Sequence, residues 1–356
     1  MLRHMPRRAP PPPRILVTIP LAVQARKRLA AAGRVCSAAS RGGRPPLDRV
    51  PDDARASVEG ILCTITDRID GPLLDSFPAL RVVSSFGVGL DHVDLDAATV
   101  RGVLVCHTPG VLTEATADLA FGLCLDAARR ITEGDRLVRA GRFHGWRPDF
   151  MLGAEVSGAC LGIVGFGRIG RALARRARGF GMRVIYASRS RAPREVERAL
   201  GARRVGLDAL LRRADIVSLH VPLGPDTHHL IDARALARMK PTAILVNTSR
   251  GPVVDEAALV GALRAGRIAG AGLDVYEREP RLARGLARLD NVVLAPHLGS
   301  ATVSTRAAMG RLAVENLLCV LAGRRPPNPA NPELIGSPTK KNRAPGGARR
   351  SGLRRG

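Results

Sequence analysis

Three side chains that can carry acid–base and carboxylate chemistry follow apolar segments in the second half of the chain. Arg250 comes after AILVNTS, Glu279 lies in GLDVYEREP, and His297 follows NVVLAP. A histidine titrates near neutrality and can transfer a proton, and a nearby carboxylate can orient it. An arginine can hold a carboxylate through two parallel hydrogen bonds. Together the three residues predict a site that moves a proton on a carboxylate-bearing substrate.

Each of the three residues also has a purely structural alternative. Arg250 could cap the loop after its strand, Glu279 could be a solvated side chain, and His297 could be a core histidine with satisfied hydrogen bonds. What favours chemistry is their joint occurrence downstream of a glycine pattern that is typical of dinucleotide binding.

That glycine pattern is Gly165-x-Gly167-x-x-Gly170, which directly follows the apolar segment LGIV and opens a segment with helical spacing. The first glycine permits a tight turn, the second lets the backbone approach a pyrophosphate, and the third lets the helix pack closely on the strand. Backbone N–H groups at the helix N-terminus would meet the phosphates. The alternative is a plain structural turn. We predict that the cofactor is bound by Gly165, Phe166, Gly167, Arg168, Ile169 and Gly170.

The next apolar segment, RVIYA, ends about twenty residues after the loop begins, where an acidic residue usually holds the ribose hydroxyls of NAD. Ser188, Arg189 and Ser190 stand there instead. An arginine can pair with a 2′-phosphate, and the missing acid removes a repulsion. The turn therefore predicts NADP(H), with NAD(H) as the alternative cofactor. A solvated turn in an arginine-rich chain is the structural alternative.

The elements that must position these residues read as a parallel α/β architecture. Short apolar segments alternate with helical patterns in two series, before and after a long helical segment that begins at Thr113. In open parallel sheets, ligands bind at the carboxyl ends of the strands, where the polar residues lie here. A chain of 356 residues is long enough for two domains of ordinary size.

The net charge of +25 raises the question of a nucleic-acid partner. Nine Lys or Arg against one acid lie in residues 324–356, and the rest of the excess is spread along the chain. Only ten aromatic residues are present, too few for base-stacking platforms. We therefore expect no nucleic-acid partner.

Membrane and metal partners are also not predicted. No stretch of about 18 uncharged apolar residues occurs, and the N-terminal MLRHMPRRAPPPP lacks the apolar core of a signal peptide. The six cysteines are scattered without a C-x-x-C pair, which is typical of buried thiols in a reducing compartment. We expect a cytoplasmic protein with no metal ligands.

From about residue 80 to residue 323 the chain resembles the D-isomer-specific 2-hydroxyacid dehydrogenases, and within them the glyoxylate/hydroxypyruvate reductase branch. The segments that carry the resemblance include SSFGVGLDHVDL, TPGVLTEATADLAFGL, GWRPDF, VNTSRGPVVDEAAL, AGAGLDVYEREP and LAPHLGSAT. The resemblance implies that His297 is the acid and base, that Glu279 orients it, and that Arg250 binds the substrate carboxylate. It also implies that backbone N–H groups of Val88 and Gly89 bind that carboxylate.

The resemblance further implies several supporting residues. Trp146 would help to shape the substrate pocket of a partner subunit, or else anchor an interface or core, so a homodimer is expected. Additional cofactor contacts are implied at Thr116, Pro222, Thr227, Thr248 and Asp274.

The predicted fold class is α/β, with two Rossmann-like, doubly wound parallel-sheet domains, a cleft between them, and a discontinuous substrate domain. The substrate domain is expected to comprise residues 14–108 and 297–323, and the NAD(P)-binding domain residues 109–296. Residues 1–13 and 324–356 are predicted to be disordered basic arms.

The predicted function is NADPH-dependent reduction of glyoxylate or hydroxypyruvate to the D-2-hydroxy acid. One alternative is an NAD-dependent dehydrogenase for another acid, such as D-3-phosphoglycerate or D-lactate. Another is a non-catalytic, nucleotide-sensing scaffold.

Overall fold

The computed structural model describes residues 11–37, 47 and 50–335. These residues form two compact units. We call the described residues up to Thr108 together with those from Met309 onward the split unit, and Pro109–Ala308 the central unit. Within the described residues, no helix is both long and apolar enough to cross a membrane. The predicted domain roles and limits stay a prediction.

The split unit is built on a five-stranded parallel sheet whose strand order is β2-β1-β3-β4-β5. Neighbouring residues of its strands point to opposite faces. Ile61 and Val83 pack in one apolar cluster, while Leu62 and Val82 pack in the other, on the opposite face. Burial on both faces explains why these strands read as continuous apolar segments. The strands are β1 (Arg14–Val17), β2 (Arg34–Ser37), β3 (Val58–Cys63), β4 (Val82–Ser85) and β5 (Leu104–Cys106), and the helices are α1 (Val23–Ala32), α2 (Asp52–Arg55), α3 (Gly71–Asp75) and α4 (Leu95–Val100).

The central unit contains a seven-stranded parallel sheet with the order β12-β11-β10-β9-β6-β7-β8. Its strands are β6 (Cys160–Val164), β7 (Arg183–Ala187), β8 (Ala202–Arg204), β9 (Ile216–Leu219), β10 (Ile244–Asn247), β11 (Gly270–Leu273) and β12 (Val292–Leu294). The strand order reverses between β6 and β9, and in such sheets this is the point where a ligand binds. Both sheets are parallel and open, so the prediction of an α/β fold with two parallel-sheet domains is confirmed.

The helices of the central unit are α5 (Thr113–Arg129), α6 (Ile131–Arg139), α7 (Arg168–Gly179), α8 (Arg194–Leu200), α9 (Leu207–Arg213), α10 (Ala233–Arg238) and α11 (Glu256–Arg264), and α12 (Val303–Leu321) runs from the central unit into the split unit. The long helical segment after Thr113 is two helices, because Arg130 adopts a left-handed conformation (φ 56°) that ends α5.

Residues 324–335 fall in the segment predicted to be disordered, and in the structure they make defined hydrogen bonds to β5 and to the residue before it. Ala330 donates a backbone hydrogen bond to Val105 (2.7 Å), and the Asn331 side chain accepts one from the Val105 N–H (2.8 Å). The Asn331 amide also donates to the Val103 carbonyl (3.0 Å). The physical reason is that β5 is an edge strand, and its unpaired backbone groups offer partners to a segment without any apolar periodicity. Residues 1–10 and 336–356 of the predicted arms lie outside the described residues.

Candidate active site

The glycine loop lies between β6 and α7, at the reversal of strand order in the central unit. Gly165 has φ +95°, and a Cβ there would stand 2.6 Å from the carbonyl carbon of His220. A Cβ at Gly170 would stand 2.3 Å from the Gly165 oxygen, whereas one at Gly167 would meet nothing within 4 Å. The protein's own packing therefore requires the first and third glycines. The second leaves open space of the kind a pyrophosphate needs.

Phe166, within the loop, uses its side chain for packing. Its ring stacks on Tyr186 with the centroids 4.0 Å apart. The Tyr186 hydroxyl donates to Glu197 (2.6 Å) and accepts from the Ala192 N–H (3.0 Å). The hydrogen bond from Arg191 is the main reason that the pKa of Glu197 is lowered. This buried network fixes the chain after β7. Sequence analysis missed it, because no pattern links Glu197 to the glycine loop.

The turn after β7 is held by hydrogen bonds to its own carbonyl groups. The Ser188 hydroxyl donates to the Ser190 carbonyl (2.6 Å), and the Arg204 guanidinium donates to the carbonyls of Ser188 and Arg189 (both 2.9 Å). Arg189 is exposed, and its side chain forms no hydrogen bond or ion pair with any residue in the described part of the chain. Arg189 therefore places a positive charge at the turn that is predicted to contact the 2′-phosphate of NADP.

His297 and Glu279 form a hydrogen-bonded pair. His297 Nδ1 lies 3.0 Å from Glu279 Oε2, and the two side chains are 30% and 34% exposed. The Tyr276 N–H donates to Glu279 Oε1 (3.1 Å). Burial raises the pKa of Glu279, but the hydrogen bond and charge of His297 outweigh it, so the net pKa is lowered. Glu279 is therefore ionised at neutral pH, and Nε2 of the imidazole has no partner among the described residues.

Asp274 holds the loop that carries His297. Its carbonyl accepts the His297 N–H (2.9 Å), and its carboxylate accepts the N–H groups of Leu298 (2.6 Å) and Gly299 (2.8 Å). Burial raises the pKa of Asp274 despite those bonds. A Cβ at Gly299 would stand 3.2 Å from Asp274 Oδ2 and 3.4 Å from Thr116 Cγ2. Asp274 and Thr116, both predicted to contact the cofactor, thus lie together against the loop that follows His297.

A second buried carboxylate, that of Glu256, binds backbone N–H groups on both sides of Glu279. Glu256 is 4% exposed and accepts the N–H groups of Glu277 (3.0 Å) and Ala283 (3.1 Å). In return, the Glu277 carboxylate accepts the Glu256 N–H (3.2 Å), and His229 Nε2 lies 3.3 Å from Glu277. Sequence analysis did not identify Glu256, since a single acid at the start of a helix reads as an ordinary helix residue.

Arg250 follows β10, the neighbour of β11. The Asn247 side chain donates to the Arg250 carbonyl (2.9 Å), which fixes the backbone there. A Cβ at Gly251 would stand 1.8 Å from the Tyr276 carbonyl carbon, so this glycine allows the loop of Arg250 to lie directly against that of Glu279. The charge of Arg250 contributes to the lowered pKa of Glu279. The structure therefore brings all three predicted catalytic residues to the ends of adjacent strands β10, β11 and β12.

Three further predicted cofactor residues differ in their hydrogen bonding. The Thr248 hydroxyl is buried and has no partner among the described residues. In contrast, the Thr227 hydroxyl donates to the Pro222 carbonyl (2.7 Å) and accepts from the Gly224 N–H (2.9 Å), so it closes its own loop. The unpartnered Thr248 hydroxyl and the open space at Gly167 fit a dinucleotide with its phosphates at the loop.

The remaining predicted substrate residues lie on two loops. Val88 and Gly89 follow β4 in the split unit, and their N–H groups have no acceptor among the described residues. Trp146 belongs to the central unit and is 81% exposed.

Comparison with known proteins defines the class. The sequence model of one protein family, the D-isomer specific 2-hydroxyacid dehydrogenase, NAD binding domain, matches residues 121–299 of this chain. A relative from Thermococcus litoralis is 51% identical over 297 residues, which cover 82% of this chain and 89% of that protein. The chain therefore belongs to the D-isomer-specific 2-hydroxyacid dehydrogenase family and is an oxidoreductase with an NAD(P)-binding domain, as the motifs predicted.

Two named relatives and one solved structure show which kind of family member the chain is similar to. The Thermococcus litoralis protein is a glyoxylate reductase, as is a Korarchaeum cryptofilum protein that is 50% identical, with coverage of 82% of this chain and 88% of that one. The structure of an NADPH-dependent glyoxylate/hydroxypyruvate reductase from Sinorhizobium meliloti, in complex with NADP and malonate, is similar with a TM-score of 0.80 and 38% identity. The similarity covers 90% of this chain and 97% of the Sinorhizobium meliloti chain.

Substitutions in the glycine loop should separate cofactor binding from folding. Gly167→Ala is expected to leave the melting temperature within about 2 °C, since the added methyl meets no protein atom and φ is negative. It should raise the KM of the cofactor at least about tenfold, because the methyl fills the space of the pyrophosphate. Gly170→Ala is the matched contrast and should lower the melting temperature. Unchanged cofactor KM in Gly167→Ala would argue against a pyrophosphate at this loop.

Proposed function

We propose that the protein reduces glyoxylate or hydroxypyruvate with NADPH, giving a hydroxy acid of D configuration where the product is chiral. The observation that carries the proposal is the His297–Glu279 pair, with Nδ1 and Oε2 3.0 Å apart, beside Arg250 on the sheet that also carries the glycine loop. The substrate choice is supported by the relatives of about 50% identity that are glyoxylate reductases.

In the proposed reaction the protein supplies a proton and binds the acid. Bound NADPH supplies the hydride. His297 Nδ1 faces Glu279, so Nε2 is the nitrogen that donates its proton to the carbonyl oxygen of the substrate and takes it back in the reverse direction. Glu279 holds the imidazole in this orientation. Arg250 binds the substrate carboxylate and polarises the neighbouring 2-oxo group. The N–H groups of Val88 and Gly89 bind the same carboxylate.

The choice of NADPH rests on the turn after β7. The turn has no acidic side chain at Ser188, Arg189 or Ser190 to repel a 2′-phosphate, and the exposed Arg189 has no acidic partner within the described ranges. The solved Sinorhizobium meliloti reductase is NADPH-dependent, which agrees with this proposal. Asp274 is proposed to lie at the nicotinamide end of the cofactor, and Thr116 and Thr248 are proposed as further cofactor contacts.

The proposed reaction is tested by initial rates with NADPH and NADH on glyoxylate, hydroxypyruvate, pyruvate, phenylpyruvate and D-3-phosphoglycerate. The first two acids with NADPH should give the highest kcat/KM. His297→Ala should lower kcat by at least about a hundredfold while cofactor binding, followed by fluorescence, is retained. His228→Ala, at an exposed histidine of the same unit, serves as the control. Cofactor binding without turnover of any acid would favour a nucleotide-sensing scaffold instead.

Cofactor choice should depend on Arg189. Arg189→Ala is expected to raise the KM of NADPH at least about tenfold, because a charge-assisted contact to the 2′-phosphate is lost. The KM of NADH should change less than about twofold, since NADH has no such phosphate. Arg203→Ala, at an exposed arginine of neighbouring β8, is the matched control. Equal losses for both cofactors would assign Arg189 to a solvated turn.

A homodimer is proposed from apolar side chains in and after α6. The exposed fractions are 57% for Ile131, 59% for Val138, 51% for Phe143, 81% for Trp146 and 69% for Leu152. So many exposed apolar residues in one stretch of chain favour burial by a partner, and a second copy of the chain agrees with the homodimer expected from Trp146.

The dimer is expected to have twice the chain mass of 37.8 kDa in sedimentation. Phe143→Asp should shift it toward the monomer, because a charge would be buried in the interface. Val100→Asp, at an 81% exposed position of the split unit, should leave the mass unchanged. Trp146 is the only tryptophan, so its emission should shift to the red on dissociation. A monomeric wild-type protein would contradict the proposal.

A cytoplasmic location is also proposed. All six cysteines are free thiols, and five of them are buried, which suits a reducing compartment. Cell fractionation would test it.

A further inference from the structure

The loop that bears Val88 and Gly89 is held through its carbonyl groups by the chain that follows β5. The Val88 carbonyl accepts a hydrogen bond from His107 Nδ1 (2.9 Å), and a carbonyl oxygen can only accept, so Nδ1 carries the proton. The Gly87 carbonyl accepts from both the N–H (2.8 Å) and the hydroxyl (3.1 Å) of Thr108. All of these groups belong to the split unit.

These contacts fix the direction of two N–H groups. In a trans peptide the C=O and the N–H of one plane point in opposite directions. The plane that contains the Gly87 carbonyl also contains the Val88 N–H, and the plane of the Val88 carbonyl contains the Gly89 N–H. Because both carbonyls are turned toward His107 and Thr108, both N–H groups are turned away from them. Neither has an acceptor among the described residues.

His107 is itself anchored from the other side. Its carbonyl accepts the side-chain amide of Asn316 (2.8 Å), and its N–H donates to the Asn328 carbonyl (3.2 Å). Asn316 is fully buried on α12 and also accepts the Asn328 N–H (3.0 Å). The N–H and the carbonyl of His107 are therefore both held by hydrogen bonds. This fixes the backbone from which the imidazole extends to the Val88 carbonyl.

We propose that His107 is a positioning residue, which aims the N–H groups of Val88 and Gly89 at the substrate carboxylate by holding the Val88 carbonyl. This inference rests on the proposed function, because it takes the carboxylate of a 2-oxo acid as the ligand of the loop. It assigns to His107 no contact with the substrate. Its effect is on carboxylate binding and not on hydride or proton transfer.

The test compares His107→Leu, which removes the donor and keeps bulk, with His107→Asn, whose amide places an N–H near the position of Nδ1. His107→Leu should raise the KM of glyoxylate and the Kd of oxalate about tenfold, with kcat within about threefold and the KM of NADPH within about twofold. His107→Asn should restore both constants to within about threefold of wild type. His228→Ala, at an exposed histidine of the central unit, is the control.

A merely structural role of His107 would lower the melting temperature or the active fraction and leave the KM of glyoxylate unchanged, which would overturn the proposal. If His107→Leu does not fold, Thr108→Val removes only the hydroxyl donor to Gly87 and should raise the same two constants by a smaller factor. Unchanged constants in that variant would also overturn the proposal.

Oxalate separates this proposal from the proposed function. If the wild-type protein reduces no 2-oxo acid, the proposed function fails, while calorimetric titration of the full chain with oxalate still decides the role of His107. Weaker oxalate binding in His107→Leu than in wild type supports the proposal. Equal affinity, or no oxalate binding to the wild-type protein, overturns it.

Discussion

The site depends on backbone N–H groups that are bound by buried carboxylates. Asp274 is 1% exposed, and it binds the N–H groups of Leu298 and Gly299 with its carboxylate and that of His297 with its carbonyl. His297 has φ 56°, a conformation that few residues with a side chain adopt, so the surrounding contacts must hold it there. These three bonds hold the backbone from which the imidazole reaches Glu279.

Carboxylates that accept several hydrogen bonds also hold two further loops of the central unit. Glu256 binds both ends of the loop that carries Glu279, and Glu197 binds Tyr186 and Arg191 after β7. In each case a loop of irregular backbone is made rigid by an acid that lies on a neighbouring helix or loop. Hydrogen-bond networks of this kind favour one geometry of the loop. In a chain of net charge +25, each of these carboxylates is matched by N–H donors or by a cation.

Much of the fold, and the position of Arg250, Glu279 and His297 after neighbouring strands, could be predicted from the sequence, because both have local signals. The strands of the parallel sheets read as short apolar segments, the glycine loop has fixed spacing, and Arg250, Glu279 and His297 each follow such a segment. The long-range hydrogen bonds that hold the loops have no local signal in the sequence. Glu256 contacts residues 21 and 27 positions away, and Asn331 contacts Val105 across 226 positions. The contacts of the segment after α12 cannot be predicted from its Pro and Asn content, which has no apolar period, because they come from the edge of β5.

That edge contact has a consequence for solubility. An edge strand with free N–H and C=O groups is a template on which another chain can add a strand and aggregate. At β5 the template is covered by Asn328–Asn331, which forms one antiparallel bridge between Cys106 and Pro329. Pro326, Pro327, Pro329 and Pro332 have no N–H to offer to a further strand. The segment therefore ends the sheet on this side and blocks its growth from one molecule to the next.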